Sequence, residues 1–195
     1  SELFSRQLAG IGAREGHEPL SDVLGVLNQA ALHLAAITGA QTDRMTRDDG
    51  WRLLSVARQI ERLDMLAQAL EAGFQAGLHD LDDGFALLLG LFDSTITYRA
   101  QFQARREVPP LLHLLVQDTD NPRSLAWVAR TLRERLRKLA RHDPAWAEAV
   151  ALTLPSPSDW SLETLSTRDA HGRHSALMSA LQDCHQAALG VCGEI

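Results

Sequence analysis

"MTRDDGWRLLSVARQIERLDML", residues 45–66, sets a 3.6-residue apolar period against an unusual density of charge. At 100° per residue, Leu53, Val56, Ala57, Ile60 and Leu63 fall into one arc, continued by Ala67, Leu70 and Phe74, which predicts an amphipathic helix over 47–73. Thr46-Arg-Asp-Asp49 resembles a capping box with Asp in the Glu place, and the acidic pair suits the positive end of the helix dipole. Gly73 and Gly77 are expected to break the helix. Asp64 falls inside the apolar arc, where a carboxylate is tolerated only if it is paired or hydrogen-bonded.

The same period runs outward on both sides. Ser21 and Gly39 bracket a predicted helix with Val23, Leu27 and Leu34 at helical spacing. Downstream, Phe85, Leu88, Leu89, Phe92 and Ile96 predict one helix over 81–104, and the next turn of that stripe lands on Arg99. Asp64 or Glu61 is therefore expected to pair with an arginine of another helix, Arg99 first. Pro109 and Pro110 suit the first turn of a short helix reaching Gln117. Asn121-Pro122 reads as an N-cap and first turn for a helix over 122–142, with Leu125, Val128, Ala129, Leu132, Leu136 and Leu139 inward. Its outer face carries Arg130, Arg133, Arg137, Lys138 and Arg141, with Trp127 either packed under the 151–166 segment or facing a partner. Residues 142–172 are the least regular, with short helical stretches near 144–152 and 160–166, and a last helix is expected over 173–191. The pattern predicts an all-α, antiparallel helical bundle of six or seven helices.

Composition agrees. The 195 residues are 45% hydrophobic and 23% charged, with one Tyr and five Phe, which suits one compact helical domain. It is read as a loose lead-in over 1–19, a core over 20–142, and an irregular segment with the final helix over 143–195. The net charge of −6 argues against nonspecific nucleic-acid or membrane-surface binding. Cys184 and Cys192 stand about 12 Å apart along a helix, beyond disulfide reach, which fits a reducing compartment. No apolar run approaches the roughly 20 residues of a membrane span, and no signal peptide opens the chain, so a cytoplasmic location is expected. Because the sequence begins with Ser1, a C-terminal fragment of a longer protein is expected.

Enzyme signatures are scarce. GxGxxG, Walker, GxSxG and HExxH patterns are all missing, and no cofactor is expected. Asp169, His171 and His174, with His185, form the one metal-like cluster, but a polar loop explains the spacing better. Cys184 and His185 are adjacent on a helix and do not face one another. The basic stripe of 130–141 is read as a solvated helix face rather than a nucleic-acid surface.

Three ordered segments carry a resemblance: the 45–70 stretch, Ser94-Thr-Ile-Thr-Tyr98-Arg99, and "LLVQDTDNPRSLAW" over 114–127. They resemble the bacterial alpha-E domain family over about residues 20–139, at Met45, Arg47, Trp51, Arg58, Glu61, Arg62, Thr97, Tyr98, Arg99, Asp118, Pro122, Arg123 and Ser124. Ala57 stands where many members have Gly. The likeness is to the C-terminal half of members that usually contain two related halves. It implies an accessory component encoded beside, or fused to, an ATP-grasp ligase-like protein in a peptide-tagging or amide-forming system. Arg47, Trp51, Arg58, Glu61, Arg62, Tyr98, Arg99, Asp118 and Arg123 become the candidate binding cluster. Guanidiniums around a carboxylate suit recognition of a peptide carboxylate or a phosphate. The same residues suit a buried network that pins helix register, or plain surface charge. Two roles stay open: a non-catalytic docking module, or a substrate-binding or catalytic domain using the Arg/Glu cluster.

Overall fold

The computed structural model describes residues 20–103 and 105–195, and the chain divides into two units, Ser1–Arg47 and Asp48–Ile195. The expected lead-in, residues 1–19, lies outside the described residues. The described part of the first unit is a helix, α1 (Leu20–Arg44), which runs through Gly39 instead of ending there. Over Ser21–Gln41 this helix is long and apolar enough to cross a membrane by length and composition alone. That corrects the reading from uninterrupted apolar runs, which passed over a helix whose few polar residues are scattered among Leu, Ala and Val.

The second unit is entirely helical among the described residues. Its elements are α2 (Asp49–Gln75), a single turn at Leu78–Asp80, α3 (Asp82–Leu91), α4 (Thr95–Phe102), α5 (Val108–Leu112) with a wider-wound extension at His113–Gln117, α6 (Leu125–Leu139), α7 (Pro144–Thr153), a single turn at Pro157–Asp159, α8 (Leu162–Ser166) and α9 (Ser175–Glu194). The all-α reading holds. The cap of α2 is Asp48 rather than Thr46, its carboxylate accepting the Trp51 N–H at 3.0 Å. The helix passes through Gly73, which is buried against Leu88, and ends at Gln75, two residues before Gly77, whose φ of 69° only glycine adopts readily.

α2 is the central element, packed against both α6 and α9. This is why its apolar arc is wide: Val56, Ile60, Leu63, Leu66, Ala67, Leu70 and Phe74 are all buried, while Leu53 and Ala57 at the arc's edge are exposed. α6 buries Leu125, Val128, Ala129, Leu132 and Leu136, and α9 buries Leu177, Leu181, Cys184, Ala188 and Val191, as their periods predict. Leu111, Leu112, Leu114, Leu115 and Val116 of α5 and its extension are buried as well, so this short apolar segment is core. It closes on a wide turn, the Asp118 N–H reaching the His113 carbonyl at 2.9 Å.

The helix expected over 81–104 is two. Asp93 takes a φ of 45°, and the Ser94 hydroxyl donates to the Phe92 carbonyl at 2.9 Å, which turns the chain between α3 and α4. The break rotates the stripe out of phase: Ile96 is 86% exposed and Arg99 is exposed, while Tyr98 is buried.

Two further contacts hold the periphery. Phe74 stacks on His79 at 4.2 Å, and His174, just ahead of α9, meets both rings edge-on at 5.3 and 5.0 Å. On α6, the Arg133 guanidinium donates to the carbonyls of Ala151, Leu154 and Pro155 at 3.3, 2.7 and 2.6 Å. The expected basic stripe is thus largely consumed inside the unit, since Arg130 donates to the Thr119 carbonyl and Arg137 and Arg141 pair with Glu148 and Asp49.

Candidate functional site

The α2–α6 pair is antiparallel, because Trp51 and Ser55 near the start of α2 line one cavity with Arg135 and Lys138 near the end of α6. At the other end of the pair, the Arg62 guanidinium of α2 lies over the Trp127 ring at 5.8 Å, near the start of α6. Each helix therefore lays a similar stripe along the shared groove: Trp51, Ser55, Arg58 and Arg62 on one, Trp127, Thr131, Arg135 and Lys138 on the other. The period of 3.6 residues brings each set to one face. Trp51 sits by the basic end of α6, and Trp127 lies under Arg62 of the middle of α2.

The groove carries an excess of positive charge, with Glu134 the one carboxylate among the residues that line its cavity. Arg58 and Arg62 have no ion pair among the described residues, and the buried Nε of Arg135 has no hydrogen-bond partner. Burial lowers the Arg62 pKa, with the positive charge of Arg123 adding to it. Burial also lowers that of Arg135, where Glu134 compensates in part and Arg58 adds repulsion. Both guanidiniums remain charged at neutral pH. Around Trp51 and Arg135 the groove opens into a cavity of about 180 Å³. The chemistry on offer is that of an anion receptor with two aromatic walls.

The remaining candidates sit elsewhere. Asp118 is structural: its Oδ1 accepts the N–H groups of Asp120 and Asn121 at 2.8 and 3.2 Å. The buried Asn121 side chain completes this turn, donating to the Leu114 carbonyl at 2.9 Å and accepting the Arg123 N–H at 3.1 Å. Ser124, not Asn121, caps α6, its hydroxyl accepting the Trp127 N–H at 3.0 Å and donating to the Asp118 carbonyl. This turn sets Trp127 at the groove mouth and brings Arg123 into an ion pair with Asp93. Tyr98 is buried among Phe85 and Phe102 and donates to the Arg105 carbonyl at 2.7 Å. Arg47 belongs to the first unit.

Asp64 does find a partner, but the expected pairing with Arg99 is wrong. Its carboxylate meets the His185 ring of α9 and accepts from Gln68 at 2.7 Å. The partner differs because α9, not α4, lies against this face of α2. Glu61 is exposed and has no ion pair among the described residues, so no arginine encloses it. Of the metal-like cluster, Asp169 spends its carboxylate on the N–H groups of His171 and Arg173 and the Ser175 hydroxyl, while His174 is buried in the ring stack. Among the described residues no group of three His, Cys, Asp or Glu is placed to hold a metal.

Ser55, Thr131 and Arg135 are the groove residues that the sequence reading missed. The signal was present: Trp-x3-Ser-x2-Arg-x3-Arg in α2 and Trp-x3-Thr-x3-Arg-x2-Lys in α6 are near copies.

Uncharacterised proteins of Mycobacterium tuberculosis and Mycobacterium bovis are 26% identical to this chain over 108 residues, covering 54% of it. The chain covers only 12% of the length of these relatives. No solved structure matches. The Alpha-E family model, described as "a predicted alpha-helical domain with a conserved ER motif", matches residues 6–194. The chain has two Glu-Arg dipeptides, Glu61-Arg62 and Glu134-Arg135, whose arginines both face the α2–α6 groove. With the match running over nearly its whole length, the chain belongs to the Alpha-E family.

Proposed function

We infer that this chain is a docking module of a bacterial amide- or peptide-ligating system, and that the α2–α6 groove receives an acidic surface of an ATP-grasp ligase-like partner. The partner class comes from the family resemblance. The observation that supports docking is the row Arg58, Arg62 and Arg135, held together by the fold without ion-pair partners for the first two and with a bare buried Nε on the third. Holding like charges together in a half-buried groove is unfavourable unless an anion joins them. Trp127, half-buried beneath Arg62, supplies an anchor of the kind that dominates interfaces. The exposed Glu61 has no ion pair among the described residues, which favours recognition over a reaction run by an Arg/Glu pair. A cytoplasmic setting for this system fits two free thiols, Cys184 being buried with its pKa pushed up to about 12.

The test is the affinity between this chain and an ATP-grasp ligase-like protein of the same genome. Arg58→Ala with Arg62→Met should weaken the complex at least about tenfold, mostly through slower association at low salt. Trp127→Ala should weaken it by about 1–2 kcal/mol. Equal affinity for parent and variants, or no complex at micromolar concentrations, would sink the reading.

A further inference from the structure

A second concavity lies between α3 and α4, away from the groove. It encloses about 470 Å³, within the usual range for sites that take small organic ligands. Its lining is divided by chemistry. Phe85, Leu89 and Tyr98 supply apolar surface, and Arg99 and Arg105 supply positive charge. A third arginine, Arg106, is already paired with Asp82, whereas Arg99 and Arg105 have no ion pair among the described residues.

The loop that carries Arg105 is built, not incidental. Tyr98 is buried, and its phenol, whose pKa burial raises further above neutral, donates to the Arg105 carbonyl at 2.7 Å. The apolar wall and the cationic loop are therefore joined by one hydrogen bond. Gln103, also in the lining, holds φ 60° and ψ −131°, a conformation that a non-glycine residue adopts only under constraint. Backbone strain next to a half-apolar, half-cationic concavity is a combination associated with ligand sites.

We propose that this concavity binds a small amphiphilic carboxylic acid, its apolar body against Phe85, Leu89 and Tyr98 and its carboxylate between Arg99 and Arg105. A guanidinium and a carboxylate match in planarity and in paired donors and acceptors, which gives the acid an advantage over a neutral molecule of the same shape. The apolar area selects an acid with an aryl or branched acyl body over a short polar one.

The experiment is calorimetric titration of the chain with 4-phenylbutyrate and with its neutral twin, 4-phenylbutanamide, repeated on three variants. Arg99→Met removes one charge at an exposed position. Ala86→Phe fills the concavity from its exposed rim without touching the core. Arg58→Ala alters only the α2–α6 groove. The acid should bind at millimolar or lower concentration and the amide at least about tenfold more weakly, the effect of a charge-assisted hydrogen bond. Arg99→Met should bring the acid down to the level of the amide, Ala86→Phe should abolish both, and Arg58→Ala should change neither. Absence of binding by the parent, equal binding of acid and amide, or unchanged binding in Arg99→Met with its melting temperature preserved would each overturn the proposal. Loss of binding in Arg58→Ala would move the acid to the other site and overturn it as well.

Discussion

Arg135 holds its guanidinium in a half-buried position where its Nε finds no acceptor and Arg58 repels it. A residue kept for packing alone would do better as a methionine. Arg135→Met should therefore raise the unfolding free energy by about 1 kcal/mol, seen as a higher denaturant midpoint, since it removes an unsatisfied donor and a like-charge contact. A clear loss of stability would show that the guanidinium supports the fold in its own right. Asp64 makes the opposite case. Burial raises its pKa, but the hydrogen bonds from His185 and Gln68 outweigh this, and the carboxyl ends below its ordinary 3.8. A depressed carboxyl contributes stability above the unfolded value and loses it as pH falls through the folded one. Asp64→Asn should thus lose up to about 1 kcal/mol at neutral pH, and parent and variant should converge when unfolding is measured well below pH 3.8. That Asp64 needs a partner was legible from its place in the apolar arc. Which partner was not, because a helical period reports one helix's faces and says nothing about which neighbour lies on each.

Among the elements, the α3–α4 break shows where periodicity misleads. Phe85, Leu88, Leu89 and Phe92 are buried as their spacing requires, and the same spacing then points at Ile96, which is exposed. The informative residues were Asp93 and Ser94, one tolerant of positive φ and the other able to bond back to the backbone. α2, α6 and α9 were readable because each keeps one phase from cap to end. Packing between elements also sets a sharp prediction at Gly84. A Cβ there would stand 2.4 Å from the Leu78 carbonyl oxygen and 2.8 Å from its Cα, so backbone rather than a side-chain tip would have to move. Gly84→Ala should destabilise the unit by about 2–3 kcal/mol in a urea titration. A change below about half a kcal/mol would mean that the 78–80 turn shifts freely against α3.

At the scale of the whole second unit, stability should depend on pH through the ring stack of Phe74, His79 and His174. Burial pushes both histidines below their ordinary 6.5, with the charge of Arg168 acting in the same direction on both, that of His174 adding to it at His79, and Asp80 opposing. The folded unit therefore resists protonation that the unfolded chain accepts. Stability is full above pH 6.5 and falls as pH drops below it toward the folded values. Melting temperatures taken between pH 7 and pH 5 should decline in the parent and decline less in His79→Phe, which keeps the stack on Phe74 without the titration. Parallel profiles would place the acid sensitivity elsewhere. Neither the stack nor the α2–α6 groove was visible as a unit in the sequence, since each joins residues brought together only when helices distant along the chain pack. Arg133 extends the same logic to the unit's lifetime. Its guanidinium closes over the carbonyls of Ala151, Leu154 and Pro155, the stretch where a Pro- and Ser-rich composition would otherwise invite nicking. A protease needs roughly that length of backbone free and extended, so cleavage after Leu152 must wait for one arginine to let go, Leu154 being protected in any case by the proline that follows it. Arg133→Gln should turn a slowly digested protein into one that chymotrypsin cuts first at this point, leaving α7 on one fragment and α9 on the other.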